Sequence, residues 1–490
     1  MAITNRLRVD IRDRWPLVAV FVVAFLVRLI PSLGSLVGGA PNYDPSVYYA
    51  AAVGFFCGRL PYRDFLLLHP PGIVWLLQPF AALGALFGDP VGLAVARIAF
   101  MCIGATSAVL IAVLLRGHGR LAALVGAGFY AIYPAATHVE RAPWLEAPAS
   151  LMLLAALVIL RPMPMPARSW RPLVAGMLLG LGTLTKLWGA ALLLAVLIWL
   201  LVTRGVRAAL LGVLGAAAAG VAALAPFTSA LPQMWKDVVV AQLQRPAVRT
   251  APLRRIADIL ALPSDLTTPL LAVLAIALAC LVLAAAVVAA RTASGRLHTL
   301  LLVVTVAVLL ASPAWYAASY PAFAAAPLAL VLGSATAVAT KRLHRQGRRV
   351  AAAITGLLLV AGGTVQVAST DGFSFPGPEL SQVLSGRTGC VSTDHPIALI
   401  LTNRLRADLG HGCTLVVDLS GYIHVVEGSP QRRENAAFQR LMMEYLAGGD
   451  TVVIMSGMWP GDFAPEGRAR VNSWPVVGSA DRIMVRQPVP

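Results

Sequence analysis

Charge is what this sequence has least of. Only 12% of its 490 residues are Asp, Glu, Lys or Arg, about half the ~25% usual in soluble domains. An ordinary soluble globular protein is thereby excluded, and 58% hydrophobic residues with a mean hydropathy of +0.77 point to a polytopic membrane protein. Lysine is scarce too, with three in the whole chain, which reads as a bias toward arginine. No Walker loop, GxGxxG, HExxH or CxxC motif occurs, and no internal repeat or low-complexity tract stands out beyond an Ala/Leu bias. These absences weaken a nucleotide-driven pump and a repeat-built transporter. Among the five cysteines, Cys390 and Cys413 share the C-terminal tail, where an oxidising compartment would allow a disulfide. Spacing alone leaves that pairing open. Cys102 and Cys280 fall in apolar spans.

Apolar runs suited to crossing a bilayer recur from residue 15 to residue 368. Arg6, Arg8, Arg12 and Arg14 precede the first run, which lacks a small-residue cleavage site and is expected to remain as an anchored helix. A net charge of +17 suits a nucleic-acid partner, but its distribution argues otherwise. From Asp371 onward there are ten Arg and twelve acidic residues, so the excess sits between the apolar runs. Basic clusters at 6–14, 116–120, 161–171, 204–207, 291–296 and 341–349 all belong in the cytoplasm under the positive-inside rule. The spans then fall near 15–37, 91–115, 121–137, 147–160, 172–185, 187–203, 208–226, 269–290, 297–312, 321–340 and 350–368. The expected fold is an α-helical polytopic membrane protein with about 11 crossings, N-terminus inside and tail outside. Segment 73–88 is apolar, yet a full crossing would invert every later cluster, so a re-entrant or interfacial helix is expected there.

The acidic residues provide a separate check. Between the first span and residue 368 they are Asp44, Asp64, Asp89, Glu140, Glu146, Asp237, Asp258 and Asp265, and all eight land on the outer side. The chain divides into a membrane domain, 1–369, and a tail, 370–490, long enough for a small domain. Strand-like runs at 414–418 and 451–455 with a helical stretch at 435–446 predict a small extracytoplasmic α/β fold.

Segment 42–72, NYDPSVYYAAAVGFFCGRLPYRDFLLLHPPG, is a polar stretch directly after the first span. Asp44 follows the first span closely, and a partly dehydrated carboxylate there can take a proton from an acceptor hydroxyl. The competing reading makes Asp44-Pro45-Ser46 the N-cap of a helix over 47–56. Farther on, Arg59, Arg63 and His69 could hold a phosphate, with Pro70-Pro71 breaking the chain before the apolar segment. An amphipathic interfacial helix with snorkelling Arg and Tyr explains the same residues.

The second outer loop carries His138, Glu140, Arg141, Trp144 and Glu146. Glu140 or Glu146 could bind sugar hydroxyls or assist Asp44, and Trp144 could stack on a sugar ring. Glu146 also suits the start of the next helix. Lys186 sits between two short apolar helices and needs an anionic partner, for which a lipid phosphate would serve; snorkelling is the alternative. In loop 227–268, Arg245, Arg249, Arg254 and Arg255 run against the positive-inside trend, and an anionic head group is the simplest attraction. Tyr316 and Tyr320 mark another outer tip, where aromatic residues commonly anchor.

Taken in order, these elements resemble the GT-C class of membrane glycosyltransferases, in particular bacterial relatives of the protein mannosyltransferases and the lipid A aminoarabinose transferase. The likeness rests on Asp44, the small-residue helix at 50–54, the G-x-x-P-Y-x-D element at 58–64 and His69-Pro70-Pro71. Glu146 and the pattern Gly176, Gly180, Leu184-Thr185-Lys186 extend it, over about residues 15–340. The resemblance implies a plasma-membrane enzyme that moves a sugar from a polyprenyl-phosphate donor to an extracytoplasmic glycan, lipid or protein acceptor, with inversion. Asp44 would be the catalytic base. Tyr43, Arg63, Asp64, His69, His138, Glu140, Trp144, Glu146, Lys186, Arg245, Arg249, Tyr316 and Tyr320 would line the substrates, with Lys186 and outer-loop Arg or His residues stabilising the leaving phosphate. Many relatives carry paired acids where this chain has Asp44-Pro45, so no metal or other cofactor is expected. A transporter or flippase is the main rival, but it should place charges near the bilayer midplane; Arg28, inside the first span but toward its outer end, is the awkward residue. A scaffold binding cell-wall partners leaves Asp44, Glu146 and Lys186 without a shared purpose.

Overall fold

The structure is a computed structural model that describes residues 15–38, 42–161, 169–246, 250–368, 375–455 and 462–489. Among them, seven helical stretches are long and apolar enough to cross a membrane by length and composition. Four other expected spans are shorter helices, Arg120–Ile132, Glu146–Ile159, Arg171–Thr185 and Gly189–Arg204. Helix Gly72–Phe87, with Pro79 inside it, has 16 residues. It is therefore roughly 24 Å long, short of a ~30 Å hydrocarbon core.

The chain separates into two compact units. The first comprises Met1–Leu33, Ile98–Ala222 and Val248–Thr370. Its helices approach closely because glycine and alanine line their contacts. A Cβ at Gly176 would collide with the Gly212 backbone, and one at Gly180 would lie 2.9 Å from the Ala216 Cα, so helices Arg171–Thr185 and Val206–Leu224 meet backbone to backbone. This packing accounts for the spaced glycines of the sequence pattern without any role in chemistry. Gly126 and Gly333 serve helices Arg120–Ile132 and Ala325–Ala339 in the same way, each facing a backbone carbonyl of the other helix.

The second unit comprises Gly34–Arg97, Ala223–Ala247 and Asp371–Pro490. Its tail holds a four-stranded sheet: β1 Val391–Thr393, β2 Thr451–Ile454, β3 Val476–Ala480 and β4 Ile483–Arg486, in the order β1-β2-β4-β3. β1 and β2 are parallel and the other pairings antiparallel, and the crossover between β1 and β2 includes helix Ala436–Ala447. The expected strand at 414–418 is not one. Leu415 and Val417 are buried, but the segment pairs with no strand, so its apolar alternation reflects side-chain packing. Cys390 and Cys413 form a disulfide with a Cα–Cα separation of 5.6 Å. Cys280 is exposed on its helix and Cys102 half-buried.

Tail and first loop are joined within this unit. Asp89, fully buried, accepts from Arg406 Nε at 3.0 Å and from the Tyr49 hydroxyl at 3.2 Å. Its backbone N–H donates to Asn403 at 2.9 Å. Leu415 packs against Gly54, where a side chain would collide with it.

Candidate functional site

In the second unit the helix that carries Asp44 runs Tyr43–Phe56. Asn42 occupies the N-cap position and makes no side-chain cap bond. The competing reading of Asp44-Pro45-Ser46 as a cap is thus corrected: Asp44 is already helical, half-buried in the first turn, where unpaired amides favour a carboxylate.

Tyr43 fixes that turn to the tail. Its hydroxyl donates to Asp418 Oδ1 at 3.1 Å and accepts from the Ser420 N–H at 2.9 Å. Asp418 Oδ1 also accepts from the Gly421 N–H at 2.8 Å. The Tyr43 ring meets His395 edge-on at 5.0 Å. Burial, then the Asp418 charge, pushes the Tyr43 phenol well above its ordinary pKa, so it stays a neutral donor. Burial also raises Asp418, against the opposing pull of Gly421, Tyr43, Arg245 and Arg432. Arg432 donates to Ser420 Oγ at 3.0 Å and pairs with Asp462 at 3.1 Å. Burial, Arg245 and Arg432 lower His424 to about 3, leaving it neutral.

The rest of the first loop is built around Tyr62, whose φ of 70° is unusual for a non-glycine residue. Its buried hydroxyl donates to the His69 carbonyl at 2.7 Å. His69 lies edge-on to Tyr48 at 5.4 Å. Arg63 is exposed and pairs with its neighbour Asp64 at 2.8 Å. Asp64 also accepts from the Leu60 N–H at 2.6 Å, so this pair stabilises a turn. Segment Ala223–Ala247 packs on the same loop: Phe227 contacts Phe55, Tyr62 and Trp75, and Gln242 donates to the Leu68 carbonyl at 2.9 Å. Arg245 Nε is buried with no acceptor among the described residues. Arg249 lies outside the described residues.

The remaining expected site residues belong to the first unit. Lys186 is the extended residue between helices Arg171–Thr185 and Gly189–Arg204. Its partner is Glu146, at 2.5 Å, and its ammonium lies 4.3 Å from the Trp188 ring centroid and 4.8 Å from that of Tyr320. Glu146 opens helix Glu146–Ile159, as its sequence position suggested. Tyr316 is exposed and packs edge-on against Tyr320 at 5.2 Å. His138 and Trp144 have ring centroids 6.0 Å apart.

Glu140 is fully occupied. Its Oε2 meets Arg28 and its Oε1 accepts from Tyr130 at 2.6 Å, all three residues buried. That geometry makes Glu140 the counter-ion of the one charge inside the first span. Arg254 and Arg255 likewise find protein partners. Arg254 pairs with Asp258 at 2.7 Å, and Arg255 donates to the Ser312 carbonyl at 2.6 Å, just past helix Ala293–Ala311. The structure thus brings Tyr43, Asp44, His69 and Arg245 into one unit and Glu146, Lys186 and Tyr320 into the other. Asp418, Ser420 and Arg432 were not marked by any sequence pattern.

Residues 68–232 match the sequence model of the dolichyl-phosphate-mannose-protein mannosyltransferase family. No curated protein sequence matches the chain. Among solved structures it is similar to ArnT from Cupriavidus metallidurans in the apo state, with a TM-score of 0.65 and 14% identity, covering 98% of this chain and 99% of that one. It is also similar to the archaeal oligosaccharyltransferase AglB from Archaeoglobus fulgidus, in complex with an inhibitory peptide and a dolichol-phosphate. There the TM-score is 0.57 and the identity 12%, covering 91% of this chain and 70% of that one. At such identities the likeness is one of fold.

Proposed function

We propose that this chain, which has the GT-C fold, is a membrane glycosyltransferase that uses a lipid-phosphate-linked sugar. The observation that carries the reading is the end-to-end fold likeness to ArnT, joined to a mannosyltransferase-family match over residues 68–232. The dolichol-phosphate in the AglB complex supports a lipid phosphate as leaving group.

In this reading Asp44 takes the proton from an acceptor hydroxyl. The oxygen attacks the anomeric carbon from the face opposite the phosphate, the carbon–phosphate-oxygen bond breaks, and the polyprenyl phosphate departs with both bonding electrons. The configuration inverts. His69 and Arg245, in the unit of Asp44, are assigned to the developing phosphate charge. The acceptor is an extracytoplasmic glycan, lipid or protein, and the Cys390–Cys413 disulfide supports an oxidising side for the tail.

The test uses membrane vesicles, supplied with polyprenyl-phosphate-linked mannose, glucose and arabinose and with a lipid and glycan extract from a deletion strain. Release of polyprenyl phosphate and extension of the extract are followed by mass spectrometry. Asp44→Asn should lower turnover by at least ~100-fold, the usual contribution of a general base, with expression unchanged. Wild-type turnover in that variant would remove Asp44 from the role.

A further inference from the structure

We propose that Asp418, in the C-terminal tail, is a positioning residue for Asp44 and acts through the Tyr43 hydroxyl. This rests on the reading of Asp44 as the base. Tyr43 and Asp44 are consecutive residues in the first turn of helix Tyr43–Phe56, so whatever fixes the Tyr43 ring fixes where the Asp44 backbone stands. Asn42, which a side-chain cap would use to hold the turn, makes no such bond. Three contacts from the tail take its place: the Asp418 carboxylate, the Ser420 N–H and the edge of His395.

The tail is in turn built to hold those groups still. Asp418 is 9% exposed and bonded to the Gly421 N–H, and Ser420 is held by Arg432, itself paired with Asp462. Asp418 therefore acts as a hydrogen-bond acceptor of fixed position. A shift of about 1 Å in a catalytic group costs on the order of 100-fold in rate, so a chain segment remote in sequence governs the chemical step without touching substrate.

This role predicts a particular pattern in the vesicle assay, run with whichever donor of the panel the wild type consumes. Tyr43→Phe and Asp418→Ala should each lower kcat by about 10- to 100-fold, leaving both KM values within about 3-fold. Asp418→Asn keeps an amide oxygen to accept the same two bonds and should restore kcat to within a few-fold of wild type. The double variant Tyr43→Phe/Asp418→Ala should be no slower than the slower single, because both changes break one link.

Asp418→Asn as slow as Asp418→Ala would show that charge matters instead of position. A raised acceptor KM at unchanged kcat would make Asp418 a substrate contact. Multiplying effects would make the two residues independent. Each of these results overturns the proposal. Should Asp418→Ala fail to fold, Tyr43→Phe, which removes one oxygen, decides alone: normal kcat at an unchanged Tm overturns it. Turnover persisting in Asp44→Asn would sink the base assignment, whereas an inactive Asp44→Asn beside a fully active Asp418→Ala would sink this inference alone.

Discussion

Lys186 and Glu146 form a buried pair whose removal has two separable consequences. Their atoms lie 2.5 Å apart with Glu146 2% exposed, so Lys186→Met strands a carboxylate. A half-broken buried pair costs about 3–5 kcal/mol, which a lowered Tm would report. Adding Glu146→Gln should recover most of that loss. If Lys186 serves the donor phosphate, the recovered double variant still shows a larger rise in donor KM than in acceptor KM; equal rises would count against the donor role. Arg28 follows the same logic, since Glu140 neutralises the charge that had favoured a transporter reading. That a helix begins beside Asp44 was legible in the sequence, because a helix start is set by residues within a few positions. Asp418 was not: it lies 375 residues from Tyr43, inside a run whose alternation reads as a strand. Glu140 looked like a surface acid for a similar reason, since its partner Arg28 is 112 residues away.

At the level of elements, the apolar runs and basic clusters gave helix positions well, because hydropathy reports burial in lipid directly. Helix Thr268–Ala289 falls within one residue at each end of the expected span at 269–290. Sheet pairing was less legible, because β1 is three residues long and finds β2 far along the chain. The G-x-x-x-G pattern was legible as a motif but not in its cause. A side chain at Gly176 would meet the Gly212 carbonyl, so Gly176→Val should force the two helices apart. Overpacking of this kind costs typically about 1–3 kcal/mol, and the yield and Tm of detergent-solubilised protein should fall. Gly220→Val, where a Cβ meets open space, is the control and should change neither.

For the molecule as a whole, the link between tail and first loop sets what can be removed. Asp89 is fully buried and Arg406 is its counter-ion, so Arg406→Ala leaves a charge without a partner at a cost of about 3–5 kcal/mol. Limited proteolysis should cut the tail of that variant faster than in wild type, and equal cleavage rates would argue that the ion pair does not hold the tail.

The same link also has a consequence in time. Arg406 follows Asp89 by 317 residues, and ribosomes add roughly 5–20 residues per second. The first loop therefore emerges roughly 15–60 s before the residues that clamp it exist. During that interval the Asp89 carboxylate stays hydrated and the loop has no template for its final shape. On the proposed function, activity would therefore appear only as the last quarter of the chain arrives.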